Sequence, residues 1–339
     1  MLTLIASVVI FGLLVFFHEL GHYLAAKNAG IGVIEFALGF GPKLLSKEKD
    51  GTIYSLRAFP LGGFVRLVGE DPEDDEQENS FQKQPVWKRF TAIAAGPLMN
   101  FVLAILLFSL IYFAFLGVPD YNSTVIGKVL PDGQAEAVGL QEGDRILSVA
   151  GQEVSRWEDV VTIIHAHPER EIEIIFSRND SIQQLAVTPI RDEQTGNGLI
   201  GIQAKTYLYR PFASLRLGVE HCIWVVRYLL IGLVQMITGR AAPEIVGPVG
   251  IIHLVGEVAR TGLMNLISLA AIISLNLGVI NLLPIPALDG SRLLFLVVEG
   301  LRGRPIDPHK ESFVHFIGFT LLIVLMIVIA YRDIMNIFY

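Results

Sequence analysis

The sequence predicts a polytopic α-helical membrane protein with four transmembrane helices, a membrane-associated β-hairpin and one extracytoplasmic α+β domain. The 339 residues are 52% hydrophobic and only 17% charged, with a mean hydropathy of +0.54, whereas soluble domains average about 25% charged residues. Four apolar stretches are long enough to cross a bilayer, and the segment between the second and third has the pattern of a small soluble domain. The net charge of −7 gives no indication of nucleic-acid binding.

The hydrocarbon core of a bilayer is crossed by about 20 apolar residues in a helix. No lysine or arginine precedes the first apolar stretch, so we interpret it as a retained helix rather than a cleaved signal peptide. The four predicted transmembrane helices are Leu2 to Ala26, Thr91 to Val118, Thr261 to Leu288 and Phe313 to Tyr331.

Basic residues set the expected orientation, because loops rich in lysine and arginine stay in the cytoplasm. Nine such residues lie between the first and second predicted helices, and four lie between the third and fourth. We therefore expect both loops in the cytoplasm, and both termini and residues 119–260 outside it. An acidic run in the first loop, Glu70 to Glu78, is expected to be solvated because like charges repel.

A fifth apolar run, Leu215 to Thr238, has a charged stripe. At 100° per residue its polar side chains fall within about 40° of one another, which is typical of an amphipathic helix lying on the membrane surface. The alternative is a fifth transmembrane helix, which would send Asp289 to the face opposite His18 and His22. The residues that form this stripe are Arg216, Glu220, Arg227 and Thr238.

The outer segment contains a motif of glycine turns and short strands, GLQEGDRILSVAGQEVSRWEDV, at residues 139–160. Two further strands follow, joined by a polar turn at residues 178–180. Residues 125–203 resemble a PDZ domain, within a predicted domain of residues 119–205. The resemblance implies binding of an extended peptide or chain end by strand addition.

The sequence HELGH places His18, Glu19 and His22 near the end of the first predicted helix. Two histidines four residues apart differ in direction by about 40° and in height by about 6 Å, so both imidazoles can reach one metal ion. Glu19 shares their face and is placed to act as a general base. The alternative is a hydrogen-bonded polar cluster between helices.

A catalytic zinc takes three protein ligands and keeps one position open. Asp289, in NLLPIPALDG, is the best candidate for the third ligand because it is expected at the same depth. Pro284 and Pro286 should break the third helix before it. Asn276 and Asn281 near this break either hydrogen-bond the substrate backbone or bridge helices. The competing histidine ligands are His221, His253, His309 and His315.

Residues 52–67, TIYSLRAFPLGGFVRL, are predicted to form a hairpin that turns at residues 60–63. Because this hairpin follows the first helix, we hypothesise that it reaches the active site. There it would pair with an unwound substrate as an added strand, with Gly62 and Gly63 as substrate-binding residues. The alternative is a cytoplasmic hairpin without a role in substrate binding.

HELGH, AAGPLMNF and NLLPIPALDG together resemble the site-2 protease family of intramembrane zinc metalloproteases, most closely its bacterial RseP branch. The resemblance covers nearly the whole chain and implies Zn²⁺ as cofactor, with His18, His22 and Asp289 as ligands and Glu19 as the base. One departure is that the best-known enterobacterial relatives carry two PDZ domains. Matches to the family's G-P-x-x-N motif are Gly96, Pro97 and Asn100.

The resemblance also implies the substrates and the location. Expected substrates are single-pass membrane proteins such as anti-sigma factors, and remnant signal peptides, cleaved within the transmembrane segment after filtering by the PDZ domain. The expected location is the bacterial cell inner membrane, with the termini and the PDZ domain in the periplasm. The alternative function is an inactive membrane-anchored PDZ scaffold. The chain is predicted to divide into four segments, which are residues 1–118, 119–205 (the PDZ domain), 206–260 and 261–339.

Overall fold

The structure is a computed structural model that describes residues 1–70, 77–193, 195–240 and 247–338. Most of the acidic run predicted to be a solvated loop therefore lies outside the described residues. The chain forms two compact units, one of residues 1–111 and 211–339 and one of residues 112–210.

The helices and strands follow in chain order. The helices are α1 (Leu2–Ala29), α2 (Val86–Ala114), α3 (Gln134–Ala137), α4 (Trp157–His165), α5 (Pro211–Ile237), α6 (Pro248–Thr261), α7 (Leu263–Leu282), α8 (Asp289–Arg302) and α9 (Pro308–Phe338). The strands are β1 (Val33–Lys49), β2 (Thr52–Leu67), β3 (Gly117–Pro119), β4 (Ile126–Val129), β5 (Arg145–Val149), β6 (Gln152–Glu153), β7 (Ile172–Arg178), β8 (Ser181–Val187), β9 (Ile190–Arg191), β10 (Gly198–Leu199), β11 (Ile202–Ala204) and β12 (Thr206–Leu208).

Among the described residues, five helices are long and apolar enough to cross a membrane, as expected of a multi-pass membrane protein. These are α1, α2, α7, most of α9, and α5, for which the sequence predicts a position on the membrane surface. The buried side of α5 contributes Cys222 and Val225 to a cluster with Phe108 of α2 and Leu275 of α7. Length and composition alone do not distinguish crossing from surface binding, so the count of four stays a prediction.

Small residues allow the helices of the first unit to pack closely, as is common within membranes. Gly21 of α1 lies directly against the Ala95 carbonyl of α2, and a Cβ there would overlap that carbonyl. The Ser274 hydroxyl of α7 donates to the Asn100 carbonyl of α2 at 2.8 Å. Helices α1, α2 and α7 are thereby held in contact at the depth of His18 and His22.

Helix α6 ties the two ends of the chain together. Its Gly256 packs against Thr3 at the start of α1. At its beginning, the Gly247 and Gly250 N–H groups donate to the Asp333 carboxylate near the end of α9, at 3.2 and 2.8 Å. Helix α6 therefore contacts both the beginning of α1 and the later part of α9.

Strands β1 and β2 form a long antiparallel pair that turns at Asp50 and Gly51, both with positive φ. The predicted hairpin with its turn at residues 60–63 is wrong in its pairing, because the chain reverses direction between Leu56 and Gly63 but the early and late parts of β2 do not pair with each other. Ala37 of β1 lies opposite both Ser55 and Phe64, so β1 runs between them. The prediction failed because glycines interrupt the alternation of apolar and polar residues in β1, so the sequence pattern does not reveal this segment as a strand.

The second unit has a four-stranded sheet in the order β6-β5-β7-β8, with a core closed by α4. Asp144 is only 1% exposed and accepts two hydrogen bonds from the Arg178 guanidinium, both at 2.7 Å. The same guanidinium donates to the Gly139 carbonyl at 2.8 Å. This ion pair explains the aspartate of the GLQEGD motif, because it closes the turn that precedes β5, and the positive φ of Gly139 and Gly143 explains the two glycines.

We expect Asp144→Asn to destabilise the second unit by about 3 kcal/mol, because it leaves the Arg178 charge without its buried partner. Hydrogen–deuterium exchange of the full chain should show faster exchange in β5 and β7. Glu158→Gln, on α4, is the matched control and should leave this exchange unchanged. Unchanged protection in Asp144→Asn would contradict the assigned role.

Candidate active site

The structure brings the predicted metal ligands together. His18 and His22 lie one turn apart on α1, and Asp289 is the first residue of α8. The two Nε2 atoms are 3.2 Å apart, and the Asp289 Oδ2 atom is 3.2 Å from His18 Nε2 and 3.6 Å from His22 Nε2. Residues 283–288, which contain two prolines, end α7 and turn the chain so that Asp289 faces α1.

These three donor atoms fit a zinc ion. Bonds of about 2.0–2.1 Å in a tetrahedral arrangement separate ligand atoms by roughly 3.3 Å, close to the three distances observed. Two imidazoles and an ionised carboxylate are a donor set that zinc accepts, and they leave one coordination position open.

Helix α2 orients both imidazoles. His22 Nδ1 donates to the Ala92 carbonyl at 2.9 Å, so its Nε2 lone pair points at the donor cluster. The buried Asn100 amide lies 3.2 Å from His18 Nδ1, and its Oδ1 atom has no partner. A 180° flip of that amide exchanges its oxygen and nitrogen and makes Oδ1 the acceptor for a proton on His18 Nδ1. The sequence pattern identifies Asn100 only as part of a family motif.

Glu19 faces the same small cavity, which has a volume of about 170 Å³. The carboxylate precedes His22 by three residues and therefore shares its helix face. The predicted base and the three predicted metal ligands therefore all line one cavity. Its lining residues are His18, Glu19, His22, Gly63, Phe64, Val65, Leu67, Glu70, Ile93, Asp289 and Arg292.

One wall of the cavity is the end of β2. Residues 63–67 pair with β1 along one edge, and within the part of the chain that the structure describes no strand pairs with the other edge. A Cβ on Gly63 would lie 3.1 Å from Glu19 Cγ and 2.8 Å from the Ala37 carbonyl. Glycine at this position lets the strand approach α1 closely.

An ion pair that the sequence analysis missed forms the neighbouring wall. Arg292 of α8 donates to Glu70 at 2.6 Å, and the Leu67 N–H donates to the same carboxylate at 3.3 Å. Glu70 is thus ion-paired and only partly exposed, whereas the prediction placed it in a solvated run. Arg292 could have been found from its position, one helical turn after Asp289.

The other candidate residues lie outside this cavity. Asn276 is exposed on α7 and Asn281 is half-buried near its end, and neither lines the cavity. Of the competing histidines, His221 stacks on Phe108 and His253 is half-exposed on α6. Neither reaches the three donor atoms.

Comparison with known proteins gives one consistent result. Residues 6–325 match the model of peptidase family M50. The chain is 36% identical to the zinc metalloprotease RasP of Bacillus licheniformis and 36% identical to the regulator of sigma-W protease RasP of Bacillus subtilis, each over 99% of both proteins. It is 33% identical to a putative zinc metalloprotease of Clostridium acetobutylicum, over 98% of this chain and 97% of that one.

Among solved structures, the PDZ domain of an SdrC-like protein from Listeria monocytogenes is similar to part of the chain. It is 21% identical with a TM-score of 0.23, over 25% of this chain and 88% of that one. A second PDZ domain, of an SdrC-like protein from Listeria innocua, is 19% identical with a TM-score of 0.23, over 26% of this chain and 99% of that one.

We expect Gly96→Ala to weaken zinc binding by about 10- to 100-fold. A Cβ at Gly96 would overlap the His22 imidazole and push Nε2 away from the other two donors. Zinc affinity of the purified chain, measured by competition with a chromophoric chelator, tests this. Gly12→Ala on α1 is the control, because a Cβ there meets no atom within 4 Å. Equal affinities in both variants would contradict the prediction.

Proposed function

Because the chain belongs to peptidase family M50, we propose that His18, Glu19, His22 and Asp289 form the active site with which it hydrolyses peptide bonds inside the membrane. Membership makes the chain a zinc metalloprotease of regulated intramembrane proteolysis. The observation that carries the assignment of residues is the triangle of donor atoms, 3.2–3.6 Å on each side. Glu19 lines the same cavity.

The residues divide the chemistry between them. His18, His22 and Asp289 hold the zinc, which when bound polarises the scissile carbonyl and makes water acidic. Glu19 takes a proton from the attacking water and delivers it to the leaving amine nitrogen. Asn100 and the Ala92 carbonyl keep both imidazoles in the tautomer that presents Nε2 to the metal.

The substrate must present an unwound backbone to this site, because a helix uses its own carbonyls in internal hydrogen bonds. We propose that the open edge of residues 63–67 pairs with it as an added strand. Support comes from the position of Gly63, whose backbone lies beside Glu19. In this proposal Gly62 allows the bend before the strand with its φ of +113°, and Asn276 and Asn281 contact the substrate farther from zinc.

We propose four membrane crossings, with α5 not crossing. Gly218 near the start of α5 packs against Ser109 near the end of α2. Gly247, which follows α5, lies beside Asp333 near the end of α9. In this arrangement α2 and α9 end at the same membrane face, so α5 is flanked by segments at that face, as an amphipathic segment lying there would be. With basic loops inside, both termini and residues 119–205 face the periplasm across the inner membrane.

The substrates that fit this site are single-pass membrane proteins. The Bacillus subtilis relative is named a regulator of sigma-W protease, which supports anti-sigma factors as a substrate class here. Remnant signal peptides fit the same site, because each is a single apolar helix with one end produced by an earlier cleavage. We propose that residues 119–205 act as a PDZ domain that filters these substrates by binding an extended chain end.

Glu19→Gln should lower cleavage of a single-pass reporter by about 100- to 10 000-fold, because the amide cannot accept the proton of water. Purified wild-type and variant chains are compared in detergent at matched zinc content. We expect both to bind zinc equally, because Glu19 is not one of the three donors. Full cleavage by Glu19→Gln would overturn the proposed mechanism.

Strand addition predicts a pattern of cross-links. In a Cys222→Ala, Glu19→Gln background, a single cysteine at Phe64 is paired with cysteines at consecutive positions of the reporter's transmembrane segment. An added strand gives cross-linking maxima at every second reporter position. Maxima at every third or fourth position would show an intact helix and contradict strand addition. A cysteine at Leu45, on the exposed far part of β1, should give no such pattern.

A further inference from the structure

The loop that delivers Asp289 has an unusual backbone. Ala287, two residues before Asp289, has a φ of +75°. Residues other than glycine rarely adopt this left-handed backbone conformation. Such a conformation persists only when surrounding contacts hold it. No glycine relieves the strain at this position, so the contacts made by Ala287 decide how firmly the loop is held.

The contact that holds Ala287 comes from α9. The Ala287 N–H donates to His315 Nδ1 at 3.2 Å. Three residues further along α9, Gly318 lies against Pro286, and a Cβ at Gly318 would overlap the proline. One face of α9 therefore contacts two consecutive residues of the loop, one through a hydrogen bond and one through close packing.

The His315 ring is itself held in place. The ring of Phe295 on α8 meets it edge to face, with centroids 6.0 Å apart. Because Nδ1 accepts from Ala287, the neutral ring carries its proton on Nε2. That atom is buried without a hydrogen bond, and the Glu311 carboxylate lies 3.8 Å from it. His315 therefore has no lone pair left to bind the metal.

We propose that His315 is a positioning residue that fixes the Ala287 peptide and thereby holds Asp289 in place to bind zinc. The inference rests on the proposed function, since it takes Asp289 as a zinc ligand. It gives α9 a role in the metal centre, although no α9 side chain is among the donor atoms. Without the hydrogen bond, Ala287 relaxes to negative φ, and the Asp289 carboxylate moves away from the two imidazoles.

The test is zinc affinity of the full chain in detergent, measured by chelator competition. We expect His315→Ala to weaken zinc binding about tenfold. His315→Asn should recover most of the affinity, because its Oδ1 atom takes the place of Nδ1 as an acceptor. His315→Gln, which places its amide near Nε2, should not. His253→Ala, at a half-exposed histidine on α6, is the control and should bind zinc like the wild type.

A second variant separates positioning from general loss of structure. Ala287→Gly removes the backbone strain, so His315→Ala in that background should weaken zinc binding much less than in the wild type. An equal loss in both backgrounds, or wild-type affinity in His315→Ala, would overturn the inference. The proposed function fails differently, with no stoichiometric zinc in the wild type or with normal cleavage by Glu19→Gln.

Discussion

The structure depends on bringing three donor atoms, which we propose as the zinc ligands, from two separate helices into one small cavity within an apolar helix bundle. Ionisable groups at membrane depth are costly unless they are paired with one another or with a metal. A single helix supplies His18 and His22 through their spacing, but the third donor must arrive from another helix that ends at the same depth. The break between α7 and α8 meets that requirement, because residues 283–288 leave the helical path and α8 begins at Asp289.

Close helix contact makes this arrangement possible. Glycines at positions 21 and 96 let α1 and α2 approach until the Ala92 carbonyl and the Asn100 amide reach the two imidazoles. A larger residue at either position would separate the helices or displace a ring. The same small residues remove the space that lipid would fill, so buried polar groups find partners within the protein.

The sequence reveals those parts of the site that are encoded locally. The spacing of HELGH places its histidines on one helix face. The number of predicted membrane crossings between them and Asp289 is enough to predict that Asp289 lies at their depth. The β1–β2 turn was also encoded, since Asp50–Gly51 is a strong hairpin signal, but the more prominent proline and glycines at 60–63 obscured it. The contacts of Arg292 with Glu70 and of His315 with Ala287 join residues more than 25 positions apart. No spacing rule connects such residues, because tertiary packing alone creates the contact.

An open strand edge beside the proposed active site has a physical consequence. Unpaired backbone groups are not tolerated against lipid, so such an edge must face water or another chain. Gly63, Phe64, Val65 and Leu67 line the cavity that Glu19 faces, where the proposed hydrolysis requires water in any case. Pairing through backbone groups is largely independent of side chains, so an edge of this kind accepts many transmembrane sequences. Selectivity must then come from how easily a substrate helix unwinds and from what admits it to the cavity, which is the task we propose for the domain outside the membrane.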